Sequence, residues 1–118
     1  MSAILTSQPD GERRQVERKP LSVRVRLALA GRPEMEVRSI DAGASGMSLI
    51  VDVNLAPGTA CNLAFTLPLP DGGPHKAQVA AVIAHSTYSS KRSGFVIGAQ
   101  FKGASADLQV ALARYMKG

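Results

Sequence analysis

The sequence predicts an all-β (mainly β) domain in which six short strands, for the most part antiparallel, form a small barrel or sandwich with one C-terminal α-helix attached. Three observations predict this class. Large apolar residues recur at every second position along most of the chain, as in strands with one buried face. Turn signals rich in Gly and Pro separate these runs. After Gly103 the apolar spacing becomes that of a helix.

The chain has the length and composition of one globular domain. Of its 118 residues, 45% are hydrophobic and 19% are charged, a balance that argues against global disorder. Only 4% are aromatic and none is Trp, so we expect a core of aliphatic side chains.

Alternation defines each predicted strand, and it is clearest in the first. There, large apolar residues occupy every odd position from Leu21 to Leu29. The six predicted strands cover residues 21–29, 35–40, 47–53, 63–69, 77–83 with an extension toward 85, and 95–101. Turns are predicted at 30–33, 54–58 and 71–74, and a polar loop at 86–94.

The last segment, residues 105–117, predicts an α-helix. Leu108, Leu112 and Tyr115 have the spacing of one helix face, and the segment contains no Gly or Pro. Ser105 is suited to the N-cap position. We expect this face to pack against the core.

The basic residues are concentrated toward the N-terminus. The chain has 14 Lys and Arg against nine Asp and Glu, a formal charge of +5, and residues 1–40 contain eight of the basic residues. This excess favours an anionic partner without identifying it. The densest cluster, at 13–19, ends at Pro20, which favours an extended segment.

The residue types present exclude or disfavour several functional classes. Cys61 is the single cysteine, which excludes an intramolecular disulfide, and with only two histidines we expect no metal site. No apolar run has the length of a membrane span, and the first eight residues lack the basic start of a secretory signal. We therefore expect a cytoplasmic protein without a cofactor. No nucleophile–base pair or phosphate-binding loop is recognisable, so we expect no enzymatic activity.

Two short motifs carry the functional prediction, one in an N-terminal stretch expected to be unstructured and one between the second and third predicted strands. They are Arg13-Arg14-x-x-x-Arg18 and Asp41-x-Gly43-x-x-Gly46. Taken separately, the first is also typical of a solvated charge run and the second of a plain turn.

Together, in this order along a six-stranded pattern, the motifs resemble those of the PilZ domain family. That family has Arg-x-x-x-Arg before its first strand and Asp/Asn-x-Ser-x-x-Gly between its second and third strands. The resemblance covers residues 12–117, and segment 97–101 is similar to the family's late Gly-x-x-Phe strand. It implies a six-stranded antiparallel barrel with a closing helix at 12–118, preceded by a disordered tail at 1–11.

The resemblance also implies a function, the binding of the bacterial second messenger cyclic di-GMP. A domain of this kind would signal through an unidentified effector protein, in the control of motility or biofilm formation. Arginine directly before the first motif, here Arg13, is associated in the family with two intercalated ligand molecules.

The chemistry of the motif residues fits a ligand with two phosphates and two guanines. Arg13, Arg14 and Arg18 present planar donor forks that bond phosphates or guanine edges and stack on purines, and a mobile tail would close them over the ligand. Asp41 is an acceptor for the guanine N1 and N2 donors. Gly46 would permit close approach of the ligand or a positive φ.

One position departs from the family pattern. Gly43 stands where the family has Ser, so one hydroxyl donor is absent, and Ser45 would replace it only through a shifted turn. Losing one hydrogen bond to a charged group costs about 1.5–3 kcal/mol. The departure keeps a second hypothesis open, a degenerate PilZ-like adaptor that binds no nucleotide and works through protein contacts in pilus assembly or motility.

A third hypothesis, a small nucleic-acid-binding barrel, follows from the basic charge. The chain lacks the aromatic platform on which such barrels stack bases, so nucleic acid is not an expected partner. We interpret Arg24 and Arg26 as a solvated strand face, His85 as structural or exposed, and Cys61 as a small core residue.

Overall fold

The computed structural model describes residues 18–70 and 72–117. Within these residues the protein has seven antiparallel strands and one helix. They are β1 (Lys19–Pro20), β2 (Arg24–Ala28), β3 (Met35–Ala42), β4 (Gly46–Val51), β5 (Ala60–Leu67), β6 (His75–Ser89), β7 (Gly94–Lys102) and α1 (Ala106–Lys117).

Six of the strands close into a barrel. Their order is β3-β2-β5-β6-β7-β4, and β4 pairs in turn with β3, so the sheet has no free long edge within the cycle. The two-residue strand β1 pairs with the last two residues of β3, beyond the residues of β3 that pair with β2. The predicted class, a six-stranded antiparallel barrel with a C-terminal helix, is confirmed.

The interior of the barrel is aliphatic, as the composition predicts. The inward positions of the first alternating run are buried, and the largest fully buried side chains are Leu27, Met47, Leu49, Leu63, Leu67, Ile83, Ile97, Leu108, Leu112, Val25 and Val51. Cys61 is part of this core, and burial raises the pKa of its thiol. The interpretation of Cys61 as a core residue is confirmed.

Helix α1 covers the core with the predicted face. Ser105 caps it, since its hydroxyl accepts a hydrogen bond from the Leu108 amide at 3.1 Å. Leu108, Leu112 and Tyr115 are buried together with Ala111. Within residues 18–70 and 72–117 no helix combines the length and the apolar character needed to cross a bilayer.

The predicted loop at 86–94 is wrong, because β6 continues to Ser89 and only a short turn separates it from β7. Thr87 and Tyr88 are residue types that favour strands, but both are exposed, so apolar alternation stops where the strand does not. Tyr88 packs edge-on against Phe95, with ring centroids 5.3 Å apart. The third predicted strand also ends earlier than expected, at Val51, and Val53 is exposed.

Candidate functional site

The chain from residue 18 to residue 23 is fastened to β3. The Leu21 amide donates to the Ile40 carbonyl at 3.0 Å, and the Val23 amide donates to the Ser39 hydroxyl at 2.9 Å. Together with the pairing of β1, these bonds fix the path of the chain just after the arginine motif. Arg18, which directly precedes β1, is therefore held beside the end of β3.

Arg18 forms the centre of a polar cluster on the outside of the barrel. Its Nη1 donates to Asp41 Oδ1 at 3.1 Å and to Ser48 Oγ at 3.3 Å. The Arg18 and Asp41 side chains are 29% and 28% exposed, so the ion pair is more than two-thirds removed from solvent. The expectation that Arg18 lies on an unstructured stretch is wrong, because the pairing of β1 with β3 holds Arg18 against the second motif.

Lys19 ties the same segment to the end of the helix. Its ammonium donates to the Tyr115 carbonyl at 3.0 Å and lies 4.7 Å from the centre of the Tyr115 ring. The Tyr115 hydroxyl donates to the Pro20 carbonyl, and burial raises the pKa of this hydroxyl. The positions of Arg18 and of the C-terminal end of α1 are thus coupled through two adjacent residues.

Asp41 lies on a strand, not in the predicted break. It is the second-to-last residue of β3, and the turn is limited to residues 43–45, where the Gly43 amide donates to the Gly46 carbonyl at 2.9 Å. A β-bulge precedes Asp41, because Ser39 pairs with Leu49 whereas Asp41 already pairs with Ser48. The extra residue turns Asp41 outward toward Arg18, although Ser39 two positions earlier is buried.

The two glycines of the second motif lie at the start of this turn and directly after it. A Cβ on Gly46 would lie 2.2 Å from the Ala99 carbonyl oxygen, so the absence of a side chain permits the close approach of β4 and β7. Gly46 does not have a positive φ, which removes one of the two reasons expected for it. Gly43 is buried in the turn, and Ser45 beside it is exposed.

The structure thus brings together Arg18 and Asp41, with Gly43 in the adjoining turn and Gly46 at the start of β4. Arg13, Arg14 and the predicted tail at 1–11 lie outside the described residues.

Sequence reasoning missed Ser48, whose hydroxyl accepts from Arg18 directly across from Asp41. The available signal was its outward position between the buried Met47 and Leu49. It also missed the continuation of this row around the barrel. Ser48 pairs with Gly98 of β7, and Gly98 pairs with His85 of β6, which makes a row of four residues across four strands.

The fold, with an arginine docked onto a strand–turn–strand motif on the outside of a six-stranded barrel, defines a class of small β-barrel domains. The PilZ domain family model matches residues 12–118, and the chain belongs to that family.

Solved structures agree on the fold. The Bacillus subtilis inhibitor of motility (MotI/DgrA) aligns with a TM-score of 0.73 at 18% identity, over 83% of this chain and 46% of that one. The Klebsiella pneumoniae MrkH–c-di-GMP complex aligns with a TM-score of 0.64 at 16% identity, over 86% of this chain and 49% of that one. The PilZ domain of Escherichia coli YcgR with c-di-GMP aligns with a TM-score of 0.59 at 17% identity, over 86% of this chain and 87% of that one.

This chain spans about half the length of the first two of these proteins. No curated protein matches it in sequence.

Proposed function

We propose that this protein is a sensor domain for cyclic di-GMP, with a binding site formed by the arginine motif and the motif around the β3–β4 turn. The proposed ligand-binding residues are Arg13, Arg14, Arg18, Asp41, Gly43 and Gly46. The observation that carries the proposal is the contact between Arg18 and Asp41, because it joins two motifs that are 23 residues apart in sequence.

The geometry favours an exchange of partners upon binding. A partly solvated ion pair contributes only about 1 kcal/mol, so a ligand that offers stronger contacts can separate its members. The Arg18 guanidinium is suited to a phosphate or a guanine edge, and the Asp41 carboxylate to the guanine N1 and N2 donors. Since both side chains are already held beside each other, less ordering opposes binding than for a free arm.

Support for this ligand comes from family membership and from the two c-di-GMP complexes of MrkH and YcgR. Because arginine directly before the first motif is associated in the family with two intercalated ligand molecules, we propose that Arg13 favours two bound molecules here. The domain would act without catalysis, through an effector protein, and the similarity to an inhibitor of motility makes motility control the first process to test.

Isothermal titration with cyclic di-GMP tests the proposal. We expect heat of binding for the folded protein, and a Kd raised by about tenfold or more in Arg18→Ala, because charged hydrogen bonds are lost. Arg24→Ala is the matched control: the Arg24 side chain is 78% exposed, and it pairs with Glu36, five residues before Asp41 on β3. It should bind within about twofold of the wild-type protein.

Cyclic di-AMP is the matched control ligand, because adenine lacks the N1–H and N2 donors that Asp41 would accept. No heat from folded wild-type protein, or equal losses in the two arginine variants, contradicts the proposal. The fitted stoichiometry distinguishes one bound molecule from two.

A degenerate adaptor remains the second candidate, and Gly43 is the observation that favours it, since the family's hydroxyl is missing there. A folded chain that gives no heat with cyclic di-GMP, while a partner protein still binds it, would support this candidate instead.

A further inference from the structure

A groove of about 690 Å³ crosses the outside of β2, β5 and β6. Its described lining residues come from these strands, from β3 and from the two ends of the β5–β6 turn. The row formed by Asp41, Ser48, Gly98 and His85 lies on β3, β4, β7 and β6, and none of its members lines the groove. Arg18 does not line it either. The groove is therefore a second candidate site, built from different side chains.

The groove exists because its middle strand, β5, carries short side chains on the outside. Ala64 pairs with Arg26 of β2 on one side and with Gln78 of β6 on the other, so a small residue lies between two long ones. At the next outward position of β5, Thr66 pairs with Lys76 of β6. Neighbouring strands are about 4.8 Å apart, so the walls on β2 and β6 are about 10 Å apart. This width leaves room above β5 for one extended chain.

The groove has an excess of positive charge. Its charged lining residues are four cations, Arg24, Arg26, Arg38 and Lys76, and one carboxylate, Glu36. Glu36 forms an exposed ion pair with Arg24, a kind of contact that contributes little and is easily exchanged. Within residues 18–70 and 72–117, neither Arg26 nor Lys76 has a hydrogen-bonded or ion-paired side-chain partner. Uncompensated cations along a groove favour an anionic occupant.

Two of these arginines lie directly opposite each other on neighbouring strands. Arg24 pairs with Arg38 in the register of β2 and β3, and like charges at directly opposed positions destabilise an antiparallel pair. The Arg38 guanidinium donates to Ser22 Oγ at 3.3 Å, a neutral contact that leaves its charge uncompensated. A carboxylate bound between the two guanidiniums would accept hydrogen bonds from both and relieve their repulsion.

We propose that this groove binds an acidic segment of a partner protein in an extended conformation. Arg24 and Arg26 are alternate residues of β2, so they lie about 6.8 Å apart along the strand. Alternate side chains of an extended peptide have the same spacing, so carboxylates at every second position meet successive cations. Guanidinium forks bind carboxylates in bidentate contacts. The proposal goes beyond the sensor function and does not depend on nucleotide binding.

Two other occupants fit the groove less well. Nucleic acid needs exposed rings on which bases stack, and the one aromatic residue among the described lining residues, Phe65, is 5% exposed and belongs to the core. A second copy of the chain, docked through the same groove, would bring like charges together, and the formal charge of each copy is +5. An acidic peptide needs neither stacking rings nor a self-complementary surface.

Fluorescence anisotropy with labelled synthetic peptides tests the proposal. The probe is an extended peptide of about eight residues in which Glu alternates with Val, and the control probe has Gln in place of every Glu. At about 0.15 M salt, we expect saturable binding of the Glu peptide to the wild-type protein with a Kd below about 1 mM. The Gln peptide should bind at least about tenfold more weakly, because it lacks the charges that the arginines recognise.

Two lysine variants separate the groove from the net charge of the protein. Lys76→Glu and Lys91→Glu make the same change at exposed positions, but Lys76 lines the groove whereas Lys91 lies in the turn between β6 and β7. We expect the Kd for the Glu peptide to rise about tenfold or more in Lys76→Glu and less than about threefold in Lys91→Glu. In the wild-type protein, the amide signals of Arg26 and Ala64 should shift during the titration.

The outcomes decide the proposal in either direction. It is overturned if the folded wild-type protein shows no saturable binding of the Glu peptide, or if the two lysine variants lose affinity equally, because net charge alone then attracts the peptide. Tighter binding of a single-stranded oligonucleotide, with the same dependence on Lys76, overturns it in favour of nucleic acid. Since the titration contains no cyclic di-GMP, its failure leaves the proposed sensor function intact, and a protein that binds the peptide but no cyclic di-GMP loses only that function.

Discussion

Two arginine–carboxylate pairs on the outer surface of the barrel differ in almost everything except composition. The Arg24–Glu36 pair, at 3.3 Å, joins regular positions of β2 and β3, and its side chains are 78% and 60% exposed. The Arg18–Asp41 pair, at 3.1 Å, follows a bulge, and its side chains are 29% and 28% exposed. The same residue types therefore make a solvated surface at one place and a partly desolvated cluster at the other.

Shape alone would favour the first of these faces. A groove of about 690 Å³ runs along it, lined by basic side chains, including Arg24 and Arg26, and by apolar ones. The interpretation of Arg24 and Arg26 as a solvated strand face is confirmed, since both are exposed. That face has regular alternation, whereas the face with Arg18 and Asp41 has bulges in β3 and β6, so the two faces differ in strand regularity as well as in shape.

The largest expected effect is a loss of stability at the close contact between Gly46 of β4 and Ala99 of β7, beside the Arg18–Asp41 cluster. Gly46→Ala places a Cβ against the Ala99 carbonyl, and we expect a loss of about 1–3 kcal/mol in the free energy of unfolding. Gly94→Ala is the graded control at the other end of the same strand pair, where a Cβ would meet Val51 O at 3.1 Å. Urea denaturation of both variants measures the difference; an equal or larger loss at Gly94 contradicts the prediction.

An intermediate effect is expected at the position that departs from the family. Gly43→Ser restores a hydroxyl in the turn next to Asp41, and affinity for cyclic di-GMP should hold or rise by about tenfold, the lower end of the range for one hydrogen bond to a charged group. Ser45→Ala should leave affinity unchanged, because Ser45 is exposed and its hydroxyl is not the family's donor. Titration checks both variants. A clear drop in Gly43→Ser would mean that this turn differs from the family's.

The smallest effect tests the two ion pairs in the absence of ligand. Asp41→Asn should lower the free energy of unfolding by about 0.5–1.5 kcal/mol, because it weakens a largely desolvated charged contact to Arg18. Glu36→Gln should change it by less than about 0.5 kcal/mol, since that pair is exposed and screened. Thermal or urea unfolding provides the measurement. Equal losses would show that burial does not distinguish the two pairs.

The strands and the helix were predictable because each leaves a periodic trace of large aliphatic residues. Leu21 to Leu29 alternate clearly, and Leu108, Leu112 and Tyr115 change the period. The hairpin end at 86–89 left no such trace, because its residues are solvent-exposed or only partly buried. The two-residue strand β1 could not be predicted either, because it forms only by pairing with the end of β3, more than 20 residues further along the chain.

For the site, the sequence predicted which residues take part and their order along the chain, but not how they contact one another. Arg18 and Asp41 were identified by their motifs, but their contact requires β1 and the bulge at Ile40. A bulge adds one residue to a strand whose neighbours on both sides still look regular, so no local pattern reveals it. The structure places His85 on the outside, one of the two interpretations given above, but its position over Gly98 could not be read from the sequence.

The bulge residues Ile40 in β3 and Ala84 in β6 set which residues at the two ends of the row across β3, β4, β7 and β6 face outward. Deleting Ile40 or Ala84 would remove the bulge and restore regular pairing, so Asp41 would still face outward opposite Ser48, and His85 opposite Gly98. If the chain kept Ile40 or Ala84 but paired that residue regularly, Asp41 or His85 would turn toward the core. A relative with one residue fewer in β3 or β6 would therefore present the same outer row, and an alignment of the two chains has to allow for that missing residue.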